Sequence, residues 1–200
     1  MYHFVSLKKC RHPHCAAAAL VRSDFCFEHL EEPTETWRER IAERVAKGDS
    51  LAGANLARAD LSGLRLARAI LTGACLTGAN LAGACLDGAD LRHCLADGAN
   101  FSGASLREAQ CELAILGRAN LTGACCDGAD LKRANLVGTC AAGGSFKGCD
   151  FYYSRPGAAN FSGADLSEAN IERAIFRAAD LRGAQLDTAS GTANFDRAQL

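Results

Sequence analysis

The chain repeats itself every five residues from Leu51 to its last residue. The stretch NLTGACCDGADL at 120–131 shows the spacing, with Leu121, Cys126 and Leu131 five residues apart. An amphipathic helix repeats its apolar positions about every 3.6 residues and a half-buried strand about every 2, so neither element explains the pattern. A fixed period held over such a length indicates a repeat architecture, and this constrains the fold more than any other feature of the sequence.

Each repeat has two apolar positions. We call the large residue the centre; a small residue, almost always Ala, stands two places before it, and Asn, Asp, Ser, Thr, Arg and Gly dominate the other three positions. We therefore expect the centre and the small residue to point inward and the other three to face water. The centres are Leu51, Leu56, Leu61, Leu66, Leu71, Leu76, Leu81, Leu86, Leu91, Phe101, Leu106, Cys111, Leu116, Leu121, Cys126, Leu131, Leu136, Phe146, Phe151, Phe161, Leu166, Ile171, Phe176, Leu181 and Leu186.

The repeats ADLSG at 59–63, ANLAG at 79–83 and ANFSG at 99–103 share the motif A(N/D)LxG. With this motif the chain resembles the pentapeptide-repeat family from about Leu51 to Leu200. The resemblance implies an all-β solenoid, a right-handed quadrilateral β-helix in which four pentapeptides form one coil of about 20 residues. About seven coils at ~4.8 Å spacing would make a rod roughly 34 Å long.

The five-residue register is interrupted at three places. At Leu95-Ala96 the large residue comes one place early, at SRPGA (154–158) Pro156 replaces the expected Leu, and between Ala189 and Ala193 one residue is missing. Because Pro cannot donate a hydrogen bond to a ladder, Pro156 predicts a bulged corner, which is more readily a tolerated turn than a functional kink.

The composition favours a cytoplasmic protein with reduced thiols. The chain has 200 residues, a formal charge of -1 and eleven Cys, without a run of about 20 apolar residues or a signal-peptide pattern. Eight of the Cys fall inside the repeats, at core centres, at small positions or in place of Asn and Asp. We interpret these eight as small apolar filler rather than redox centres.

The first 32 residues lack the repeat and carry two close pairs of metal-ligand residues. CRHPHC at 10–15 and CFEH at 26–29 offer Cys10, Cys15, Cys26 and His29, and His12 or His14 is an alternative ligand. Two such pairs are the usual source of the four N or S ligands of a tetrahedral structural Zn²⁺. The alternative is that these Cys and His residues bind no metal. A catalytic zinc is not expected, because four ligands close the site.

Residues 33–48 predict a helix that covers the first coil of the solenoid at 50–200. Pro33 or Thr34 can begin it, Thr36 and Glu39 have the spacing of a capping box, and Gly48 ends it. The apolar residues Trp37, Ile41 and Val45 share one helix face. Solenoids need such a cap over their terminal coil. A helix that binds a partner is the alternative.

One set of outward positions carries large, aromatic and basic side chains, which are over-represented at protein interfaces. We predict a partner-binding surface there; an ordinary solvated surface of mixed charge is the alternative. The set consists of Arg92, His93, Lys132, Arg133, Tyr152, Tyr153 and Arg173. Another set has Ser, Thr or Ala followed by Gly, preceded by Asn80, Asn100, Asn120 and Asn160, and predicts a structural amide ladder.

The sequence argues against an enzyme. It has no phosphate-binding Gly-rich loop, no nucleophile elbow and no recognisable carboxylate pair, and a β-helix filled by Leu and Phe leaves no interior cavity. We therefore expect a non-enzymatic scaffold that presents one face to a protein partner, with no membrane contact.

The family resemblance implies a second function, DNA mimicry with binding and protection of a type II topoisomerase such as gyrase. Such mimicry needs a dense anionic surface. From Leu51 to Leu200 the chain has 15 acidic and 14 basic residues, which weakens this alternative. Direct nucleic-acid binding is not expected either, because residues 1–50 contain eight basic and eight acidic residues without a basic patch.

The last repeats end at ANFDRAQL without a capping element. Phe195 and Leu200 would then lie on an open coil, whose exposed edge favours pairing. We predict a two-fold homodimer through this end, since an isologous contact closes on itself, and the resemblance implies the same. A cap supplied by another protein is the alternative.

Overall fold

The computed structural model describes residues 9–11, residue 13 and residues 33–200. Of the predicted zinc ligands, only Cys10 lies in this part of the chain, where it is buried. Cys15, Cys26 and His29, and the alternatives His12 and His14, lie outside the described residues.

Helix α1 spans Thr34–Ala46. Pro33 precedes it, and no side chain caps its first turn, so the predicted capping box is wrong. The prediction fails because Thr36 already lies inside the helix, where it cannot act as the N-cap residue. In the described part of the chain, no helix is long and apolar enough to cross a membrane.

The end of α1 follows the sequence prediction. Gly48 has φ 78°, its N–H donates to the Val45 carbonyl at 2.9 Å, and the Asp49 N–H donates to the Arg44 carbonyl at 2.9 Å. These two bonds form a Schellman motif, which satisfies carbonyls that a helix end otherwise leaves unpaired.

One face of α1 packs onto the first coil. Trp37 and Ile41 are buried and Val45 is partly buried against the same core, as the i, i+4, i+8 spacing predicted. On the neighbouring turn, Arg38 donates to Asp60 at 3.1 Å. The helix is therefore attached to the solenoid by apolar packing and by an ion pair.

From Leu51 onward the chain forms a β-helix solenoid. Parallel bridges join residues 20 apart, beginning with Asn55 to Cys75 and Asp60 to Asn80. Each pentapeptide contributes a side of three residues, whose middle residue forms the bridge, and a corner of two residues. Because a corner follows every side, the described solenoid has isolated bridges rather than longer strands.

The coil has four sides, which we name by the columns of their middle residues. Side A contains Ile70, Asp90, Gln110, Asp130, Asp150 and Asn170; side B contains Asn55, Cys75, Leu95, Ile115, Asn135, Arg155 and Ile175; side C contains Asp60, Asn80, Asn100, Asn120, Cys140, Asn160 and Asp180; side D contains Arg65, Cys85, Ser105, Cys125, Ser145, Asp165 and Gln185. Corners AB, BC, CD and DA follow the sides in this order.

The Gly of the motif is explained by the turn at each corner. The backbone N–H three residues after a centre donates to the carbonyl oxygen of that centre, as Ala54 does to Leu51 at 3.0 Å. The second corner residue has a positive φ, for example 66° at Gly63. A hydrogen-bonded turn with positive φ at this position only is type II, which favours Gly.

The inward pair is confirmed almost throughout. Large centres such as Leu61, Phe101 and Phe161 are fully buried, and so are the small residues such as Ala59 and Ala99. Towards the end of the solenoid Phe146, Phe151, Phe161 and Phe176 contact one another through tilted or edge-to-face rings with centroids 5.2 to 6.1 Å apart. The described core is thus a continuous stack of apolar side chains.

Two of the three predicted register breaks are wrong. Ala96 is the buried centre and Leu95 points outward, while Leu95 bridges Cys75 and Ile115 in the regular 20-residue register. Pro156 likewise occupies a buried centre without a bulge. Its missing N–H removes only the bridge between Arg155 and Ile175.

The third break is confirmed. Asn170 bridges Ser190 at the normal separation, but Ile175 bridges Asn194 and Asp180 bridges Gln199, one residue less. The deletion is absorbed near Gly191, which has φ 93°. A Cβ at this Gly would lie 2.7 Å from Glu172, so only Gly fits the shortened turn.

Candidate interaction surface

All seven residues predicted to bind a partner lie on corner AB. Arg92 and His93, Lys132 and Arg133, and Tyr152 and Tyr153 are the two corner residues of their coils, and Arg173 is the second corner residue of a fourth. The pattern found in the sequence is therefore one continuous edge of the rod rather than one of its flat sides.

The edge begins with a fixed carboxylate. Asp90, in the middle of side A, accepts two hydrogen bonds from Arg92, at 2.9 and 2.6 Å. Thr72, one coil away, donates to the same carboxylate at 2.8 Å. The Arg92 hydrogen bonds, together with that of Thr72, lower the pKa of Asp90 to about 2. Arg92 is therefore held flat beside side A.

A lysine links the next two coils. Lys132 donates to Asp130 at 3.0 Å, and its Nζ lies 3.3 Å from an oxygen of Asp150 in the following coil. The hydrogen bond to Asp130, with help from Asp150, raises the pKa of Lys132. The charge of Lys132 is neutralised by these two carboxylates, so Lys132 adds a large side chain to corner AB but little net charge.

The far part of the edge is aromatic. Tyr152 and Tyr153 meet edge to face with ring centroids 4.6 Å apart. The guanidinium of Arg173 lies 5.1 Å from the centre of the Tyr153 ring and also donates to its hydroxyl. Tyr153 remains exposed. An exposed aromatic pair held by Arg has the composition of a binding hot spot.

The second corner residues of this edge are strained. In five successive coils this position is His93, Leu113, Arg133, Tyr153 and Arg173, with φ between 56 and 61°. A residue with a Cβ in the left-handed region costs about 1 kcal/mol relative to its preferred conformation. The fold alone does not require these residues, since Gly takes the same position elsewhere.

The other corners avoid this arrangement. On corner CD the same position is Gly in every coil from Gly63 to Gly183. Where another corner carries a large residue, a Gly often follows in the next coil. A Cβ at Gly78 would lie 3.7 Å from the Arg58 side chain, and one at Gly88 would lie 3.5 Å from Arg68. An unbroken column of large residues thus distinguishes corner AB.

From Asp60 to Asn120, side C is the structural ladder that the sequence predicted; the predicted member Asn160 follows Cys140 in the column and lies outside the ladder. The Asn80 amide donates to Asp60, Asn100 to Asn80 and Asn120 to Asn100, at 3.1 to 3.2 Å. Each side-chain oxygen also accepts the backbone N–H two residues later, as Asn100 does from Ser102. Because these polar groups satisfy one another, side C is a less suitable surface for a partner.

The aliphatic residues next to corner AB were not predicted from the sequence. Leu95, Ile115 and Ile175 form part of the middle column of side B, and Val137 lies on corner BC; all four are exposed. The sequence contained a signal, namely Leu or Ile at the position before a centre, where Asn or Asp is usual. Because Leu95 was interpreted as a core residue, this signal was not recognised.

In the described part of the chain, no group of three or more His, Cys, Asp or Glu side chains is arranged to hold a metal ion. The Cys of the repeats divide into two classes. Cys94, Cys111, Cys126 and Cys149 are buried, and Cys75, Cys85, Cys125 and Cys140 are half-buried. Burial raises the pKa of Cys94 and of Cys149 to about 12, so these thiols are not poised for redox chemistry.

The family model for pentapeptide repeats matches residues 50–88, 84–116, 114–151 and 158–190, in eight copies, which is more than half of the chain. The chain belongs to the pentapeptide-repeat family. The match is to a repeat module and not to a catalytic family. No curated protein sequence matches this pentapeptide-repeat chain.

Among solved structures, the pentapeptide-repeat chain is similar to HetL, a protein involved in heterocyst differentiation regulation in the cyanobacterium Nostoc sp. strain PCC 7120. The two share 24% identity over 81% of this chain and 94% of HetL, with a TM-score of 0.45. It is also similar to full-length QnrB1, a plasmid-mediated fluoroquinolone resistance protein, with 17% identity over 70% of this chain and 84% of QnrB1 and a TM-score of 0.46.

Proposed function

We propose that this pentapeptide-repeat protein is a non-catalytic interaction module that binds a protein partner along corner AB. The observation that carries the proposal is the column of five large residues with positive φ, from His93 to Arg173. Strained backbone of this kind persists where it serves a function rather than stability. Tyr153 and Arg173 provide an exposed aromatic and cationic anchor at the end of the column.

Capture of the partner from the source cell tests this proposal. The immobilised full-length chain is compared with a Tyr152→Ala, Tyr153→Ala variant, which removes the anchor but leaves the core unchanged. Loss of the captured protein is expected. An Arg107→Ala, Lys147→Ala variant on corner DA is the matched control and should capture as much as the unmodified chain. Equal loss from both variants would contradict the assignment to corner AB.

Topoisomerase protection by DNA mimicry is the alternative function, and the arrangement of charges supports it less well. At least ten of the fifteen acidic side chains from Leu51 onward lie within 4.0 Å of a basic nitrogen. Paired carboxylates do not form the dense anionic surface that mimicry of duplex DNA needs. A gyrase supercoiling assay, with and without a quinolone, decides: protection at micromolar protein or below would favour this alternative.

Two further proposals concern the ends of the chain. We propose that Cys10, Cys15, Cys26 and His29 bind a structural Zn²⁺, for which the supporting argument is the donor set and its spacing. We also propose that two chains join through the last coil, supported by the exposure of Leu200.

A further inference from the structure

Side B presents exposed aliphatic residues beside corner AB. Leu95, Ile115 and Ile175 are 45, 38 and 41% exposed, and Val137 on corner BC is 42% exposed. Of the large exposed hydrophobic residues that the structure describes, only Ile70 and Leu200 lie away from side B and its two corners. Leu95 and Ile115 are neighbours in the column, and Asn135 and Arg155 separate them from Ile175. Aliphatic exposure on one side of an otherwise polar rod indicates an interaction surface.

The two edges of this surface differ. On one edge stands the column of large residues on corner AB, from His93 to Arg173. On the other edge the first residues of corner BC include Gly117 and Gly157, which have no side chain. Side B is therefore a strip with an unbroken column of large side chains along corner AB and alternating large and small residues along corner BC, and an elongated partner can lie along it.

The strip is positively charged, unlike the chain as a whole. Arg133 and Arg155 are exposed and make no ion pair with any described residue. Arg173 and Arg177 lie at the same end, but they are paired with Glu172 and Asp196. Asp97 is paired with Arg118, which leaves Arg133 and Arg155 against Glu112 on corner AB. Charge complementarity at an interface then requires a partner with acidic residues.

The backbone of the strip excludes an added strand. Leu95, Ile115 and Asn135 are bridged to the coils on both sides. Arg155 and Ile175, between which Pro156 removes the bridge, are each bridged to one neighbouring coil. Their main-chain groups are thus used within the solenoid, whereas strand addition needs a free sheet edge. An occupant of side B must therefore bind through its side chains.

The spacing of the coils suits a helix. Successive rows of side B are ~4.8 Å apart, and an α-helix rises ~5.4 Å per turn, so one turn of a helix meets about one row. An extended strand repeats its side chains about every 6.7 Å and loses this match. From Leu95 to Ile175 the strip is roughly 19 Å long, the length of a helix of about 13 residues.

We propose that side B, with corner AB as its border, binds an amphipathic α-helix of a protein partner whose apolar stripe is flanked by Asp and Glu. Aliphatic side chains of the helix pack on Leu95, Ile115 and Ile175. Its carboxylates pair with Arg133 and Arg155. This inference rests on the proposed function and names the class of partner.

Two synthetic peptides test it. Both are fluorescein-labelled 18-residue helices of Leu and Ala on one face; the first has Glu on both borders of that face, and the second has Lys at the same positions. Fluorescence anisotropy with the full-length chain is expected to show the Glu peptide binding at least ~10-fold more tightly. The Leu95→Ser, Ile115→Ser variant should weaken its binding by a similar factor, about 10-fold.

Charge reversal provides the decisive comparison. An Arg133→Glu, Arg155→Glu variant should prefer the Lys peptide, whereas Arg107→Glu with Lys147→Glu on corner DA should keep the original preference. Thermal melting of each variant establishes that it is folded. Equal binding of the two peptides, no binding of the Glu peptide, an unreversed preference, or displacement of the Glu peptide by single-stranded DNA would each overturn the proposal.

The partner captured from the source cell distinguishes failure of this inference from failure of the proposed function. If Tyr152→Ala with Tyr153→Ala loses that partner while Leu95→Ser with Ile115→Ser retains it, corner AB binds the partner without side B. The inference then fails and the proposed function stands. If neither variant loses it, both fail.

Discussion

The guanidinium of Arg173 lies over the ring of Tyr153 in the preceding coil, 5.1 Å from its centre. Both residues have a left-handed backbone, with φ 56° at Tyr153 and 61° at Arg173. A cation–π contact at an exposed site contributes about 0.5 to 1 kcal/mol. This does not offset two left-handed residues at about 1 kcal/mol each. The column on corner AB is therefore poorly explained by stability alone.

The strain on corner AB predicts that glycine is tolerated there. Arg133→Gly should leave the free energy of unfolding unchanged or raise it by up to about 1 kcal/mol, because Gly relieves the left-handed strain but increases the freedom of the unfolded chain. Chemical denaturation measures the difference. A loss of stability on this substitution would show that Arg133 supports the fold.

The reciprocal substitution is the matched control. Gly123 holds the same position on corner CD, with φ 62°, and a Cβ there would meet no atom within 4 Å. Gly123→Arg should therefore leave the free energy of unfolding unchanged or lower it by up to about 1 kcal/mol, because backbone strain opposes the reduced freedom of the unfolded chain. A gain of stability on Gly123→Arg would contradict the argument from strain.

The phase of the repeat predicts which residues tolerate a charge. Leu121 is a buried centre, so Leu121→Asp places a carboxylate in the apolar stack and should cost several kcal/mol, enough to unfold neighbouring coils. Thr122→Asp, one residue later on an exposed corner, should leave the melting temperature nearly unchanged. Similar melting of the two variants would mean that the assigned phase is wrong.

Much of this fold could be predicted from the sequence because every repeat has the same two inward positions, one for a large residue and one for a small residue. The inward centres and small residues were predicted correctly, since burial of a large and a small residue in every five leaves no other phase. The errors fall where one residue departs from the pattern. Ala96 is a centre although it is small, because Gly98 and Ala99 keep the turn and the small position in phase. Aligning the repeat on Gly98 rather than on Leu95 gives the correct register.

The interaction surface was only half predictable. Corner AB is recognisable from its large residues, but its boundary with side B depends on where the coil turns, which a five-residue period does not specify. Pro156 shows the same limit. The Pro156 ring occupies a buried centre, and one bridge is lost. Whether a Pro fits there depends on the neighbouring coils rather than on the Pro itself.

Burial predicts two classes of thiol in the solenoid. Desolvation raises the pKa of Cys111 and Cys126 well above its ordinary value, as it does for Cys94 and Cys149, so these four should resist iodoacetamide in the native chain. The half-buried Cys75, Cys85 and Cys140 should react. Mass spectrometry of the digested protein identifies the modified residues. Labelling of Cys111 without unfolding would contradict the packing of the core.

The donor pairs in residues 1–32 predict one zinc ion per chain. Native mass spectrometry of the intact protein should show the added mass of one Zn²⁺, and Cys10→Ser or Cys26→Ser should lower the metal content. His3→Ala is the control, because it removes an imidazole of the same sequence segment that is outside the predicted set. A chain without metal, or a Cys10→Ser variant with full occupancy, would refute the ligand assignment.

The last coil predicts association of two chains. The Phe195 ring stacks on Phe176 with centroids 5.4 Å apart, but Phe195 itself is only partly buried, and Leu200 is 76% exposed. Ala184, Leu186 and Ala189 are also only partly buried, so the end of the stack presents apolar surface and a bridging edge. Exposed edges of this kind tend to pair, and a two-fold contact closes without growing into a filament.

Light scattering at micromolar concentration should therefore give about twice the 21.0 kDa mass of the chain. Leu200→Asp should produce folded monomers, because this side chain is exposed in the single chain, and should lower the melting temperature only by the contribution of association. Phe195→Asp should also produce monomers and should melt lower than Leu200→Asp, since it removes the ring stacked on Phe176. Ser162→Asp on corner CD, far from the end, should remain dimeric. A monomeric unmodified chain, or a dimer that survives both end variants, would exclude this contact.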